Sequence, residues 1–151
     1  MKGRNFAICL VVFLSIGIFA AVGSLQAAET ASPYQAIADG AKQMMDANKR
    51  IMDIMSKKGM VDADLKAADK MMEDGFAMIM KGEAMMATDK AQAQSMASQG
   101  GKMMLQAHKK VAAEVEKKGM TQECKIDLSD CTMAEKKIKE GALEWFFGSG
   151  V

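Results

Sequence analysis

The sequence predicts an all-α protein: an antiparallel four-helix bundle with a Met-rich core, built from a duplicated helical unit of about 60 residues, after a cleaved signal peptide. Three observations lead there. Apolar residues recur at spacings of three and four through most of the chain, and the period-two alternation of strands is absent. The stretch Lys42 to Met60 returns without a gap as Lys102 to Met120; over 40–60 against 100–120 the identities are Gly40/Gly100, Lys42/Lys102, Met44/Met104, Ala47/Ala107, Lys49/Lys109, Lys57/Lys117, Lys58/Lys118, Gly59/Gly119 and Met60/Met120. Methionine is unusually frequent: of 17, all but Met1 lie beyond residue 28.

Residues 1–28 read as an export signal. Lys2 and Arg4 precede an apolar run from Phe6 to Val22, and Ser24-Leu25-Gln26-Ala27-Ala28 offers a small-residue cleavage site after Ala27 or Ala28. The alternative is a retained membrane anchor, because 17 apolar residues lie near the lower limit for spanning a bilayer. No cysteine follows the run, so a lipoprotein is not indicated. Cleavage implies a periplasmic or secreted protein with no membrane association, whose single domain spans residues 29–151.

The first helix is expected over 33–58. Ser32 can accept from the first free amides, Pro33 suits the first helical position, and Gln35 can reach back as in a capping box. Tyr34, Ile37, Ala41, Met44, Asn48, Ile51 and Met55 then form one face, flanked by Met45 and Met52. Gly59 fits a left-handed terminator, with Met60 folding back as the apolar contact.

Asp62 or Asp64 opens a second helix, 63–87, whose stripe is Leu65, Ala68, Met72, Phe76, Ile79 and Met86. Beside it runs a second stripe, Met71, Met78 and Met85, which widens the apolar arc beyond what one corner of a small bundle buries. Thr88 or Asp89 opens the third helix, 90–118, with Gly100-Gly101 as a weak point. Its inward stripe is Met104, His108, Val111 and Val115, flanked by Met96 and Met103. An irregular segment, 121–130, separates this helix from the fourth, 131–147, opened by a capping box of Thr132 and Glu135. Cys131, Ala134, Ile138, Gly141, Ala142 and Trp145 share its inner face, and the tail 148–151 reads as frayed. Two hairpins exchanged in a homodimer are the competing architecture.

Composition excludes several functions. Without Lys2 and Arg4, 18 of the 20 basic residues stand against 19 acidic ones, a net charge of −1. A nucleic-acid surface needs a clustered basic excess, and none is present. With one histidine and no nucleophile–base set, phosphate loop or paired-carboxylate motif, an enzyme is not expected. Cys9 departs with the signal, and Cys124 and Cys131, an even pair in an oxidising compartment, are expected as a disulfide. Residues seven apart in one helix lie about 10 Å apart and cannot be bridged, so that bond demands a loop over 125–130.

What remains is methionine. A thioether is a soft, neutral donor that suits Cu(I) or Ag(I) far better than zinc, calcium or magnesium. The candidate metal ligands are Met71, Met78 and Met85 on the extra stripe, with Met103, Met104 and His108. His108 replaces Asn48 of the repeat and sits one turn beyond Met104. A His/Met pair is also an axial set for noncovalent haem, and the absence of Cys-x-x-Cys-His excludes covalent attachment. Two other readings fit a Met-rich edge: a malleable surface for an envelope protein partner, and a sink for oxidants. The bland alternative is methionine as core filler, since it packs adaptably and favours helices.

Overall fold

The computed structural model describes residues 32–147, with side chains through Trp145; the expected signal at 1–28 and the tail 148–151 lie outside the described residues. Four helices make up the described residues: α1, Pro33–Lys57; α2, Ala63–Met85; α3, Lys90–Lys117; and α4, Lys125–Phe147. No strand occurs among the described residues.

Side-chain caps start three of them. The Ser32 hydroxyl accepts from the Gln35 amide at 3.2 Å, Asp62 from Leu65 at 3.0 Å and Asp89 from Gln92 at 2.9 Å, each satisfying one amide the helix leaves free. The reciprocal arm of the Ser32 box is not made: Gln35 Nε2 donates instead to Asp39 Oδ1. Thr88 belongs to the end of α2, its hydroxyl donating to the Met85 carbonyl.

The ends of α1 and α3 are the same structure twice. Gly59 and Gly119 have φ of 67° and 71°. Gly59 N–H donates to Ser56 and Met60 N–H to Met55, as Gly119 does to Glu116 and Met120 to Val115, each at 2.9 Å. These are the paired bonds of a left-handed helix terminator, in which a residue without Cβ carries no steric penalty.

The fourth helix departs from the sequence expectation. It begins at Lys125 rather than at 131, so the segment 125–130 is helix and not loop. Thr132 caps nothing; its hydroxyl donates to the Leu128 carbonyl one turn back, and Glu135 pairs with Lys139. Cys124 and Cys131 are both free and buried; Cys124 stands in the turn just before α4, and Cys131 lies in the second turn of the helix. The expected disulfide does not form: the residues from Lys125 to Cys131 are helix, and the loop that would fold one cysteine back onto the other is absent.

Each helix has one principal partner: α1 packs chiefly on α4, and α2 chiefly on α3. Both pairs run antiparallel, and both are drawn close by glycine. A Cβ at Gly75 would lie 2.8 Å from the Gly100 carbonyl oxygen, and one at Gly141 the same distance from that of Pro33. Gly100-Gly101 is thus a packing surface and not a weak point. At the far end of the α1–α4 pair, Arg50 Nε donates to Asp127 at 2.6 Å and Nη2 to Asp130 at 2.7 Å. The two pairs are joined by Tyr34 Oη donating to the Ile79 carbonyl and by Asn48 Nδ2 donating to Asp69 Oδ1. Tyr34 also meets Trp145 edge to face, ring centroids 4.9 Å apart.

The core follows the predicted stripes closely. All seven stripe residues of α1 are buried, as are Met104, His108, Val111 and Val115 of α3. On α2, Leu65, Ala68, Met72 and Ile79 are buried while Phe76 and Met86 are half-buried. A second correspondence joins α2 to α4. Moving Leu65, Ala68, Met72, Gly75, Ile79 and Gly82 forward by 59 residues gives Cys124, Asp127, Cys131, Ala134, Ile138 and Gly141, and every one is buried.

Candidate soft-donor site

Gly75, Gly82 and Gly100 do more than bring α2 and α3 together; they interleave the methionines beside them. A Cβ at Gly75 would lie 3.0 Å from Met103 Cβ, one at Gly82 3.2 Å from Met96 Cβ, and one at Gly100 3.1 Å from Met78 Cβ. Gly75 falls between Met71 and Met78, Gly82 between Met78 and Met85, and Gly100 between Met96 and Met103. The order along the seam is therefore Met71, Met103, Met78, Met96, Met85, alternating between helices. Successive levels are about 5 Å apart, the rise of half a heptad.

This seam is the outer edge of the pair. At 100° per residue, Asp69, which meets Asn48 of α1, lies on the opposite flank of α2 from Met71 and Met78. Gly101, which faces Ile138 of α4 at 3.3 Å, lies on the opposite flank of α3 from Met96 and Met103. All five methionines are half-buried. These residues are thus neither sealed in the core nor fully open to water.

The structure divides the six candidate ligands. Met71, Met78, Met85 and Met103 share the seam, whereas Met104 and His108 face inward. Met104 is fully buried, with its Cγ 2.9 Å from the Cβ position of Gly75. His108 is 7 % exposed. Met96, expected only as a flank of the core, joins the seam. Its signal was the seven-residue spacing to Met103, the same interval that singled out Met71, Met78 and Met85.

Burial lowers the pKa of His108, with Glu135 of α4 opposing. Its Nδ1 is buried and has no hydrogen-bond partner, and the same holds for Oδ1 of Asn48, its counterpart in the repeat. The cysteines are equally shielded. Cys131 Sγ donates to the Met44 carbonyl at 3.8 Å. Burial, aided by Asp127 and Asp130 and opposed by Arg50, pushes its thiol up to about 12, and burial also raises Cys124. Neither is a thiolate poised for exchange.

A cleft of about 320 Å³ opens at one end of the molecule between Ser32, Pro33, Tyr34, Met86, Lys90, Glu144 and Trp145. It offers one thioether, Met86, and no clustered donors. Among the described residues, no group of three His, Cys, Asp or Glu side chains is placed to hold a metal, and no helix is long and apolar enough to cross a membrane.

Over the described residues, fold and site together define four helices and no strand, with methionine thioethers as the distinctive donors. No family model matches the chain, and no curated protein or solved structure is detectably similar to it.

Proposed function

We propose that this protein is an exported, duplicated helical protein that binds Cu(I) or Ag(I) along the α2–α3 seam and does not act as an enzyme. The observation that carries the reading is the alternation Met71, Met103, Met78, Met96, Met85, five half-buried methionines from two helices in one row. Neutral thioethers at the surface suit a monovalent soft cation, whose charge stays screened by water, and discriminate against zinc and calcium. They need no deprotonation, so the seam would keep its ligands in an acidic compartment. Export rests on the N-terminal residues 1–28. Duplication is supported by the 60-residue recurrence of α1 in α3 and the 59-residue recurrence of buried positions from α2 in α4.

A competition titration of Cu(I) against a chromophoric chelator tests the seam, with zinc as control. The wild type should withdraw Cu(I) from micromolar chelator and ignore zinc. Replacing Met71, Met78 and Met85 with Leu keeps the apolar surface and removes three donors, so Cu(I) uptake should fall by at least tenfold while helicity is kept. Unchanged uptake in that variant would remove the seam as the site.

The second reading, a helical envelope protein that binds a protein partner, is favoured by a different surface. Ile126, Met133 and Leu143 on α4 are 77, 50 and 58 % exposed. The Leu variant of the seam would leave such an interface intact.

A further inference from the structure

The interior carries a second set of soft donors that the seam does not use. Met44, Met72, Met104 and Cys131 come one from each helix, with exposures of 0, 0, 0 and 1 %. Contacts between the helices put them at one level. Cys131 Sγ lies 3.8 Å from the Met44 carbonyl. Met104 Cγ reaches 2.9 Å from the Cβ position of Gly75, just under one turn beyond Met72. The Asn48–Asp69 hydrogen bond registers α1 on α2, and one turn back along α1 from Asn48 faces one turn forward along α2 from Asp69. That step brings Met44 level with Met72. Two donors thus come from each tight helix pair, and they lie where the pairs face each other.

The same offsets that relate the helices carry Met44 onto Met104 and Met72 onto Cys131. His108 stands one turn beyond Met104, and helical side chains lean toward the N-terminus, so its ring lies back over the Met104 turn. Its Nδ1 is buried without a partner. A buried nitrogen left unpaired costs stability and asks for an explanation. Packing by methionine accounts for neither that nitrogen nor a cysteine at the position equivalent to Met72.

We infer that this layer is an enclosed site for one monovalent soft cation, Cu(I) or Ag(I), held by the sulfur of Cys131 and thioethers drawn from Met44, Met72 and Met104, with Nδ1 of His108 as the nitrogen donor. The inference rests on the soft-metal reading above but places an ion where the chemistry differs. On binding, the Cys131 S–H bond is replaced by an S–metal bond, the proton leaves to solvent, and no electron is transferred. The layer remains neutral, which avoids the cost of an unpaired charge in the core. Access requires the α1–α4 pair to part from the α2–α3 pair, across contacts sparser than those within either pair.

The test is titration of the purified protein with Ag(I), which is inert to air oxidation, reading bound ions by native mass spectrometry, thiolate-to-metal absorption in the near ultraviolet, and proton release in weak buffer. The seam variant with Leu at positions 71, 78 and 85 should retain one ion per chain, with the absorption band and one proton released. Cys131→Ala should lose that ion, the band and the proton while keeping seam uptake, whereas Cys124→Ala, which removes the other buried thiol, should keep all three. Met104→Leu conserves volume and should weaken the retained ion at least tenfold, and it carries the test if Cys131→Ala fails to fold. A thiolate band that survives Cys131→Ala, or an ion bound to the seam variant without band or proton, would overturn the site. Loss of all uptake in the seam variant would overturn the interior site and leave the seam reading standing. No uptake by the wild type would end both.

Discussion

Asp62 shows how much one side chain can do at a junction. It caps α2 through the Leu65 amide and pairs with Lys118 at the end of α3. The Lys118 hydrogen bond first, and the Leu65 amide second, lower its pKa from 3.8 to about 2. A carboxylate whose folded pKa is depressed contributes stability that is fully present above its unfolded value and is lost as pH falls through the folded one. The window is therefore pH 4 to 2. Asp62→Asn keeps a capping side chain and removes the charge, so its urea midpoint should lie below that of wild type at pH 6 and converge on it near pH 2. A constant gap across that range would mean the pair with Lys118 contributes nothing. The cysteines make the opposite point about single residues. Compartment and even number argue for a disulfide, and the helical pattern argues against one. The face shared by Cys124, Asp127 and Cys131 was already present in the sequence, but Asp127 hid it. A carboxylate does not look like a core position until Arg50, from another helix, is seen to cover it.

At the scale of elements, the three-and-four spacing of apolar residues located α1, α2 and α3 to within two residues at either end, and the repeated Lys-Lys-Gly-Met located two terminators. What the pattern could not convey was the meaning of the interior glycines. Glycine adds no apolar signal and lowers helix propensity, so Gly100 reads as a weak point, and Gly75 and Gly82 carry no signal, until the facing backbone is in view. Adjacent glycines of α3 separate the two effects. A Cβ at Gly100 would lie 2.5 Å from the Gly75 carbonyl oxygen, a backbone atom that cannot yield, whereas one at Gly101 meets only the Ile138 methyl at 3.3 Å. Gly100→Ala should destabilise by about 1–3 kcal/mol as the helices are forced apart. Gly101→Ala should be close to neutral, since the roughly 1 kcal/mol gained in helix propensity offsets a small adjustment of Ile138. Thermal unfolding of the two variants checks this, and equal losses would show that the backbones do not touch at Gly100. The seam was legible only in part for the same reason. Met71, Met78 and Met85 stood out by their spacing, but that Met96 and Met103 interleave with them depends on the glycines between.

For the whole molecule, the decisive feature is which helices pair. Neither α1 with α2 nor α3 with α4 is a close pair; the tight pairs are α1 with α4 and α2 with α3. A chain cut in the connection between Met86 and Asp89 would leave two fragments, each owning one member of both tight pairs and neither owning a complete pair. Each fragment alone has its glycine faces and buried methionines open to water, and should be largely unfolded by circular dichroism. Mixed at equal concentration, the two should recover the helicity of the intact chain, with a midpoint that rises with concentration as for any bimolecular fold. The molecule then behaves as a tethered heterodimer of its own halves, and the short connection between α2 and α3 is what makes its assembly independent of concentration.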